Sequence, residues 1–183
     1  MIKYSMRLFI AVTLSDKIKN ELLLIQGQLR SQSLKGSFTR PENFHITLVF
    51  IGEIGGNNIE EKLKAILNII NGIKFSPFHI IFNRSGCFTH SRKELWWVGS
   101  EPKSSGHSLL EAVHERLVDQ LSMAGFNVDR RPFNAHISLA REIKPSSRII
   151  LNFPEIKIPV ERISLMKSER IQGVLRYTEL VDG

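Results

Sequence analysis

This sequence predicts an α+β fold. The fold is bilobal and pseudo-two-fold, with two mainly antiparallel sheets flanked by helices around a central cleft. Three observations point there. A nine-residue phrase, Arg40-Pro41-Glu42-Asn43-Phe44-His45-Ile46-Thr47-Leu48, returns as Arg131-Pro132-Phe133-Asn134-Ala135-His136-Ile137-Ser138-Leu139. Six residues match in register and Ser138 answers Thr47, giving an HxT motif at 45–48 and an HxS motif at 136–139. The order strand, helix, phrase-plus-strand also occurs twice, over 7–51 and 94–141. No long flexible linker divides the halves, so 1–183 reads as a single domain of two interleaved lobes built from an internal duplication.

The elements follow from local pattern. Phe9, Ile10 and Val12 give 7–14 the β-prone bulk of a buried strand. Ser15 caps a helix whose first turn carries Asp16 and whose apolar stripe is Ile18, Leu22, Ile25 and Leu29. Lys35-Gly36 is the expected end of that helix. The first phrase then enters a strand over 45–51, stopped by Gly52. Asn57-Asn58 opens a second helix with Ile59, Leu63, Ile66, Leu67 and Ile70 on one face, closed by Asn71-Gly72. A strand over 78–82, a loop over 84–92 and a strand over 94–98 are expected next. Ser104-Ser105 caps a third helix, striped by Leu109, Leu110, Val113, Leu117 and Leu121 and ended by Gly125. The second phrase enters a strand over 136–140. Prolines make 144–159 irregular, and 160–167 with 174–180 form a hairpin around Gln172-Gly173.

Composition narrows the classes. Of 183 residues, 42% are hydrophobic and 23% charged, as in ordinary globular proteins. No stretch approaches the ~20 apolar residues that span a bilayer. The run 8–14 follows Lys3 and Arg7 but lacks a small-residue cleavage site, so it reads as a strand rather than a leader. A single cysteine, Cys87, excludes an intrachain disulfide and a cysteine zinc cluster, and fits a reducing cytoplasm; a monomer is expected. The net charge of +7 favours anionic partners, and Lys35, Arg40, Arg130, Arg131 and Arg141 stand near the phrases.

In a strand, alternate side chains share a face. His45 and Thr47 would share one face, with Ile46, Leu48 and Phe50 on the other; His136 and Ser138 repeat this against Ile137 and Leu139. Each phrase thus presents an imidazole beside a hydroxyl, roughly 6.5–7 Å apart along the strand. Two imidazoles on opposite sides of a phosphorus atom supply the base and the acid that phosphodiester cleavage needs. Hydroxyls and a guanidinium, for which Arg141 is the candidate, hold the phosphate oxygens. Arg40 and Arg131 face phosphate or pin the backbone, and Asn43 and Asn134 serve turns or neighbouring bonds. Neither phrase places an acid beside its histidine on the same face, and His79, His90, His107 and His114 lack ligand spacing, so no metal is expected. His114, near Glu111 and Glu115, reads as a surface residue. There is no P-loop and no Gly-x-Ser-x-Gly elbow, so neither an ATP site nor a serine hydrolase is implied.

These motifs resemble the 2H phosphoesterase superfamily, and within it the RNA 2′,3′-cyclic phosphodiesterase family, also called 2′-5′ RNA ligase. The resemblance runs from Met6-Arg7-Leu8-Phe9-Ile10-Ala11 through the first phrase and Leu95-Trp96-Trp97-Val98-Gly99 to His136-Ile137-Ser138-Leu139-Ala140-Arg141. It implies two motifs facing across a cleft. It implies metal-free, ATP-independent hydrolysis of an RNA 2′,3′-cyclic phosphate end to a 2′-phosphate, with reversible joining of such ends. It casts His45 as proton donor, His136 as proton acceptor, and Thr47 and Ser138 as phosphate ligands. Ala135 stands where the family often has Pro, and residues 1–5 form a short tail before its usual start. The alternatives are another 2H substrate, such as 2′-5′ oligonucleotides or a different cyclic phosphate, or an RNA-end binding module. In that last reading one of Trp96 and Trp97 stacks a base, since strand neighbours face opposite ways. Arg40, Arg131 and Trp96 are the candidate RNA contacts.

Overall fold

A computed structural model describes residues 5–90 and 93–180 of the chain. Residues 1–4 of the expected tail and 91–92 of the expected loop lie outside the described residues.

The elements run β1 (Ser5–Thr13), α1 (Asp16–Ser31), β2 (Ser33–Phe38), a 3-10 turn (Pro41–Asn43), β3 (His45–Gly55), α2 (Ile59–Gly72), β4 (Phe78–His90), β5 (Lys93–Ser100), α3 (Ser105–Met123), β6 (His136–Pro145), β7 (Ile156–Val160), β8 (Ser164–Ile171) and β9 (Val174–Leu180). Two sheets result. The first has the order β3-β1-β8-β9, the second β2-β6-β5-β4-β7. All strand pairings within them are antiparallel. The expected α+β class with two antiparallel sheets is what the chain adopts.

The halves exchange elements. β2 leaves the first half to pair with β6, and β8 and β9 return from the C-terminal part to pair with β1. Apolar faces of both phrase strands, Ile46 and Leu48 from one and Ile137 and Leu139 from the other, enter one continuous core with the stripes of all three helices, except that Leu109, expected in the third stripe, is exposed and leaves that face to Leu110, Val113, Leu117 and Leu121. Buried Gln26 of α1 ties the two halves further, its amide donating to the carbonyls of Thr39 (2.7 Å) and Leu139 (2.8 Å). The Leu139 carbonyl also accepts the Thr39 amide at 2.9 Å, so Gln26 braces the contact between the two stretches.

Helix signals read well. Ser15 Oγ accepts the Ile18 amide at 3.5 Å, Asp16 sits in the first turn and Arg30 in the last. Five expectations need correction. The first helix ends at Ser31, and Lys35-Gly36 lies within β2, where Gly36 makes room for Ile143. Strand β3 continues through Gly52 to Gly55, because Gly52, at φ 88°, absorbs a register shift instead of stopping the strand. Residues 84–90 are strand, paired in register with β5 (Cys87 with Trp96, Phe88 with Leu95), despite the weak β-formers Arg84, Ser85 and Gly86. β6 runs past Ala140 to Pro145. The segment 144–159 does contain a strand start: β7 pairs Ile158 with Ile80 as a sheet edge, the position where Pro159 is tolerated. Val160 therefore belongs to β7, while the hairpin proper turns at Gln172 and Gly173, both with positive φ.

Candidate active site

A cavity of about 540 Å³ opens between the two sheets. His45, Thr47, His136, Ser138, Arg141 and Arg40 all line it. Arg131 and Trp96 do not. Arg131 is exposed and bonded to Asp129 (Nε–Oδ2 2.6 Å), and Arg130 pairs with Asp119 at 3.7 Å. Trp96 packs against the core, its indole N–H donating to Glu94 at 2.8 Å. It is Trp97, on the other face of β5, that lies beside His136.

The two phrases build the same local device. The 3-10 turn that Pro41 initiates brings the Asn43 carbonyl to 2.7 Å from His45 Nδ1. The Asn134 carbonyl stands 2.8 Å from His136 Nδ1. A carbonyl only accepts, so Nδ1 carries the proton in each neutral ring and the Nε2 lone pair is left for chemistry. His45 Nε2 lies 2.8 Å from the Thr47 hydroxyl, which donates to it.

Strict alternation would bury Phe50 and Arg141. Both instead line the cavity, for one reason. In β3 the partner register along β1 jumps from Val49 to Thr47, and in β6 the register along β5 jumps from Ala140 to Ser138. These are β-bulges at equivalent places: Leu48-Val49 and Leu139-Ala140 are buried side by side, and the next residue is turned toward the cleft. Phe50 is half exposed there. Sequence alternation therefore misassigned Phe50. It also gives no ground for Arg141 sharing a face with Ser138; the bulge does.

Each imidazole is packed against two aromatic rings. His45 meets Phe9 at 4.9 Å and the edge of Tyr177 at 5.1 Å; His136 meets Phe88 at 5.3 Å and Trp97 at 6.2 Å. This burial drives both acidities. The His45 pKa is lowered to about 4, by loss of solvation first and then by the nearby charges of His136 and Arg141, against the hydrogen bond to Asn43. The His136 pKa is lowered by loss of solvation and by Arg141, against the bond to Asn134. Both rings are thus neutral at pH 7 in the free protein.

The asparagines do more than turn the chain. Buried Asn43 donates its amide to the Leu175 carbonyl (2.9 Å) and accepts the Tyr177 amide (3.2 Å), fixing β9 beside His45. Sequence reasoning missed this hairpin wall, although alternation along β8 and β9 puts Ser168, Arg170, Leu175 and Tyr177 on one face. Two of the remaining histidines, His107 and His114, serve the fold. His107 is buried against Ser100 (2.8 Å), and His114 is not a free surface residue: its Nδ1 lies 2.8 Å from the Leu48 carbonyl and its ring stacks on Phe133 at 4.7 Å. Among the described residues no group of three or more His, Cys, Asp or Glu side chains is placed to hold a metal ion. No described helix is long and apolar enough to cross a membrane.

A two-lobed antiparallel fold with paired histidine motifs in one cleft defines a phosphoesterase class, and comparison bears this out. The family model of LigT-like phosphoesterases matches residues 12–97. The RNA 2′,3′-cyclic phosphodiesterase of Archaeoglobus fulgidus is 34% identical over 137 residues, 74% of this chain and 72% of that protein. The Methanothermobacter thermautotrophicus protein of the same name is 27% identical over 95% of this chain and 96% of its own length. The crystal structure of E. coli LigT complexed with 3′-AMP superposes with a TM-score of 0.78 at 26% identity, covering 97% of both chains. The chain belongs to the RNA 2′,3′-cyclic phosphodiesterase family of LigT-like 2H phosphoesterases.

Proposed function

We propose that this chain hydrolyses RNA 2′,3′-cyclic phosphate ends to 2′-phosphomonoesters, as a metal-independent monomer of the cytoplasm. The observation that carries this reading is the pair of imidazoles, each with Nδ1 held by a carbonyl, lining one cavity with Arg141. The names of the relatives and the 3′-AMP complex of LigT support the substrate class. Residues 1–183 act as one domain whose two interleaved lobes, an internal duplication, each contribute a histidine.

His136 Nε2 removes a proton from water as its oxygen attacks phosphorus. The bond from phosphorus to O3′ breaks, and His45, acting in its imidazolium form, gives its Nε2 proton to that oxygen, leaving the phosphate on O2′. Thr47, Ser138 and Arg141 hold the non-bridging oxygens and offset their growing charge. Phe50, at the place in the first half that Arg141 takes in the second, offers a ring face to the terminal base. With a 5′-hydroxyl replacing water, the same steps form a 2′-5′ linkage, so joining is available to the same site.

The test is incubation with a 2′,3′-cyclic nucleotide in EDTA, with the product isomer identified. The 2′-phosphate is expected. Exclusive 3′-phosphate, or strict dependence on added metal, overturns the mechanism. His45→Ala and His136→Ala should each reduce kcat by ~10²–10⁴-fold; a loss confined to KM removes the acid and base roles.

A further inference from the structure

The cavity holds more positive charge than one cyclic phosphate requires. Its lining includes three arginines, Arg40, Arg141 and Arg170, and no carboxylate. A cyclic phosphodiester carries one negative charge. Arg141 stands close enough to both imidazoles to lower their pKa values, so it belongs with the reacting phosphate. Arg40, at the entry to the 3-10 turn, and Arg170, at the end of the β8-β9 hairpin, are both exposed residues of the cavity lining.

These two arginines share one rim. Arg170 pairs across the hairpin with Leu175, and Ser168 with Tyr177, so alternation aims Arg170 over the cleft face. Arg40 opens the 3-10 turn whose Asn43 is hydrogen-bonded to the same stretch of β9, at Leu175 and Tyr177. Arg170 donates to the Gly173 carbonyl at 3.0 Å, which ties the guanidinium to the hairpin end while using one of its five N–H groups. Arg40 has a single solvated pairing with Glu42 at 3.6 Å, too weak to neutralise it.

We propose that Arg170 and Arg40 form a subsite for the internucleotide phosphodiester on the 5′ side of the terminal nucleotide. The enzyme then favours an oligonucleotide end over a free cyclic mononucleotide. Phosphate contacts of this kind position a strand without reading its sequence, so the preference concerns length and not base identity. The inference rests on the cyclic phosphodiesterase reading above.

The experiment compares kcat/KM for a 2′,3′-cyclic mononucleotide and for a short RNA with the same terminal nucleotide, across a salt series. Arg170→Gln keeps a donor for the Gly173 carbonyl and removes the charge. The ratio of oligonucleotide to mononucleotide kcat/KM should fall about tenfold in this variant, the scale of one charge-assisted bond. The slope of log kcat/KM against log salt for the oligonucleotide should flatten by about 0.7. Arg40→Gln should act in the same direction. Equal losses on both substrates with an unchanged salt slope would mean that Arg170 only shapes the hairpin, and would overturn the subsite. If the wild type cleaves neither substrate, the catalytic reading fails instead. Fluorescence anisotropy with a 2′-phosphate-ended oligonucleotide still decides the subsite, which is lost if Arg170→Gln binds as tightly as wild type.

Discussion

At the residue scale, the chemistry rests on which nitrogen of each ring carries the proton. Asn43 and Asn134 supply carbonyls, not carboxylates, to Nδ1. A carbonyl fixes the tautomer without adding a full negative charge, so it opposes the low pKa that burial imposes only in part and burial still wins. The pH dependence follows. Catalysis from the free enzyme needs His136 neutral and His45 protonated. The fraction with His45 protonated falls as pH rises above about 4, and the fraction with His136 neutral falls below a pKa that is itself under 6.5. Hence kcat/KM for a cyclic mononucleotide should rise as pH is lowered from 8 toward 6, by about tenfold per unit along the alkaline limb. The residual rate of His45→Ala should lose that alkaline limb. Initial rates at low substrate across pH 5–8 check this, and a wild-type profile flat over that interval would remove His45 as the acid.

At the element scale, what was readable was whatever rests on local periodicity. The three helices, the two phrase strands and the turn at Gln172-Gly173 each carry their signal within a few residues. Features that depend on a partner strand were not readable. Nothing local tells that Leu48-Val49 and Leu139-Ala140 bulge, since the extra residue exists only relative to β1 and β5. The same holds for 84–90, where β5 imposes extended structure on a polar stretch, and for Trp97, whose ring lies on Gly86 and Gly99. The histidines and hydroxyls of the phrase, His45, Thr47, His136 and Ser138, do meet in one cavity, whereas Arg131, from the same phrase, and Trp96, chosen as a base-stacking ring, do not. Gly99 makes this dependence testable. A Cβ there would lie 2.7 Å from the Ala135 carbonyl oxygen and 3.1 Å from the Trp97 ring. Backbone cannot swing aside as a side-chain tip does, so Gly99→Ala must displace the residue that precedes His136. It should destabilise the fold by about 1–3 kcal/mol, read from the urea midpoint. It should also lower kcat at temperatures where the variant is fully folded. Unchanged kcat would show that His136 tolerates movement of its own strand entry.

At the scale of the whole molecule, the two lobes share one core, so the charge state of the cleft is coupled to global stability. Burying neutral imidazoles has a defined thermodynamic sign. The unfolded chain binds protons at its histidines near pH 6.5, while folded His45 resists protonation down to about 4 and His136 is lowered as well. Between those values the unfolded state holds more protons, so stability is full above pH 6.5 and is lost as pH falls toward 4. From pH 7.5 to pH 5 the His45 share of that loss is about 2 kcal/mol. An anion seated between the rings reverses the balance, because it favours the imidazolium forms. Sulfate keeps its charge across this range and serves as the probe. It should raise Tm more at pH 5 than at pH 7.5, since the protein gains protons on binding and mass action then favours the loaded fold. His45→Gln should show both a smaller acid loss of Tm and a smaller pH-dependent part of the sulfate effect. General salting-in or exclusion effects of sulfate act alike on wild type and variant, so they cancel in that comparison. A wild-type sulfate increment equal at both pH values would mean that the two imidazoles do not face a common anion, and the cleft would lose its assignment as a phosphate site.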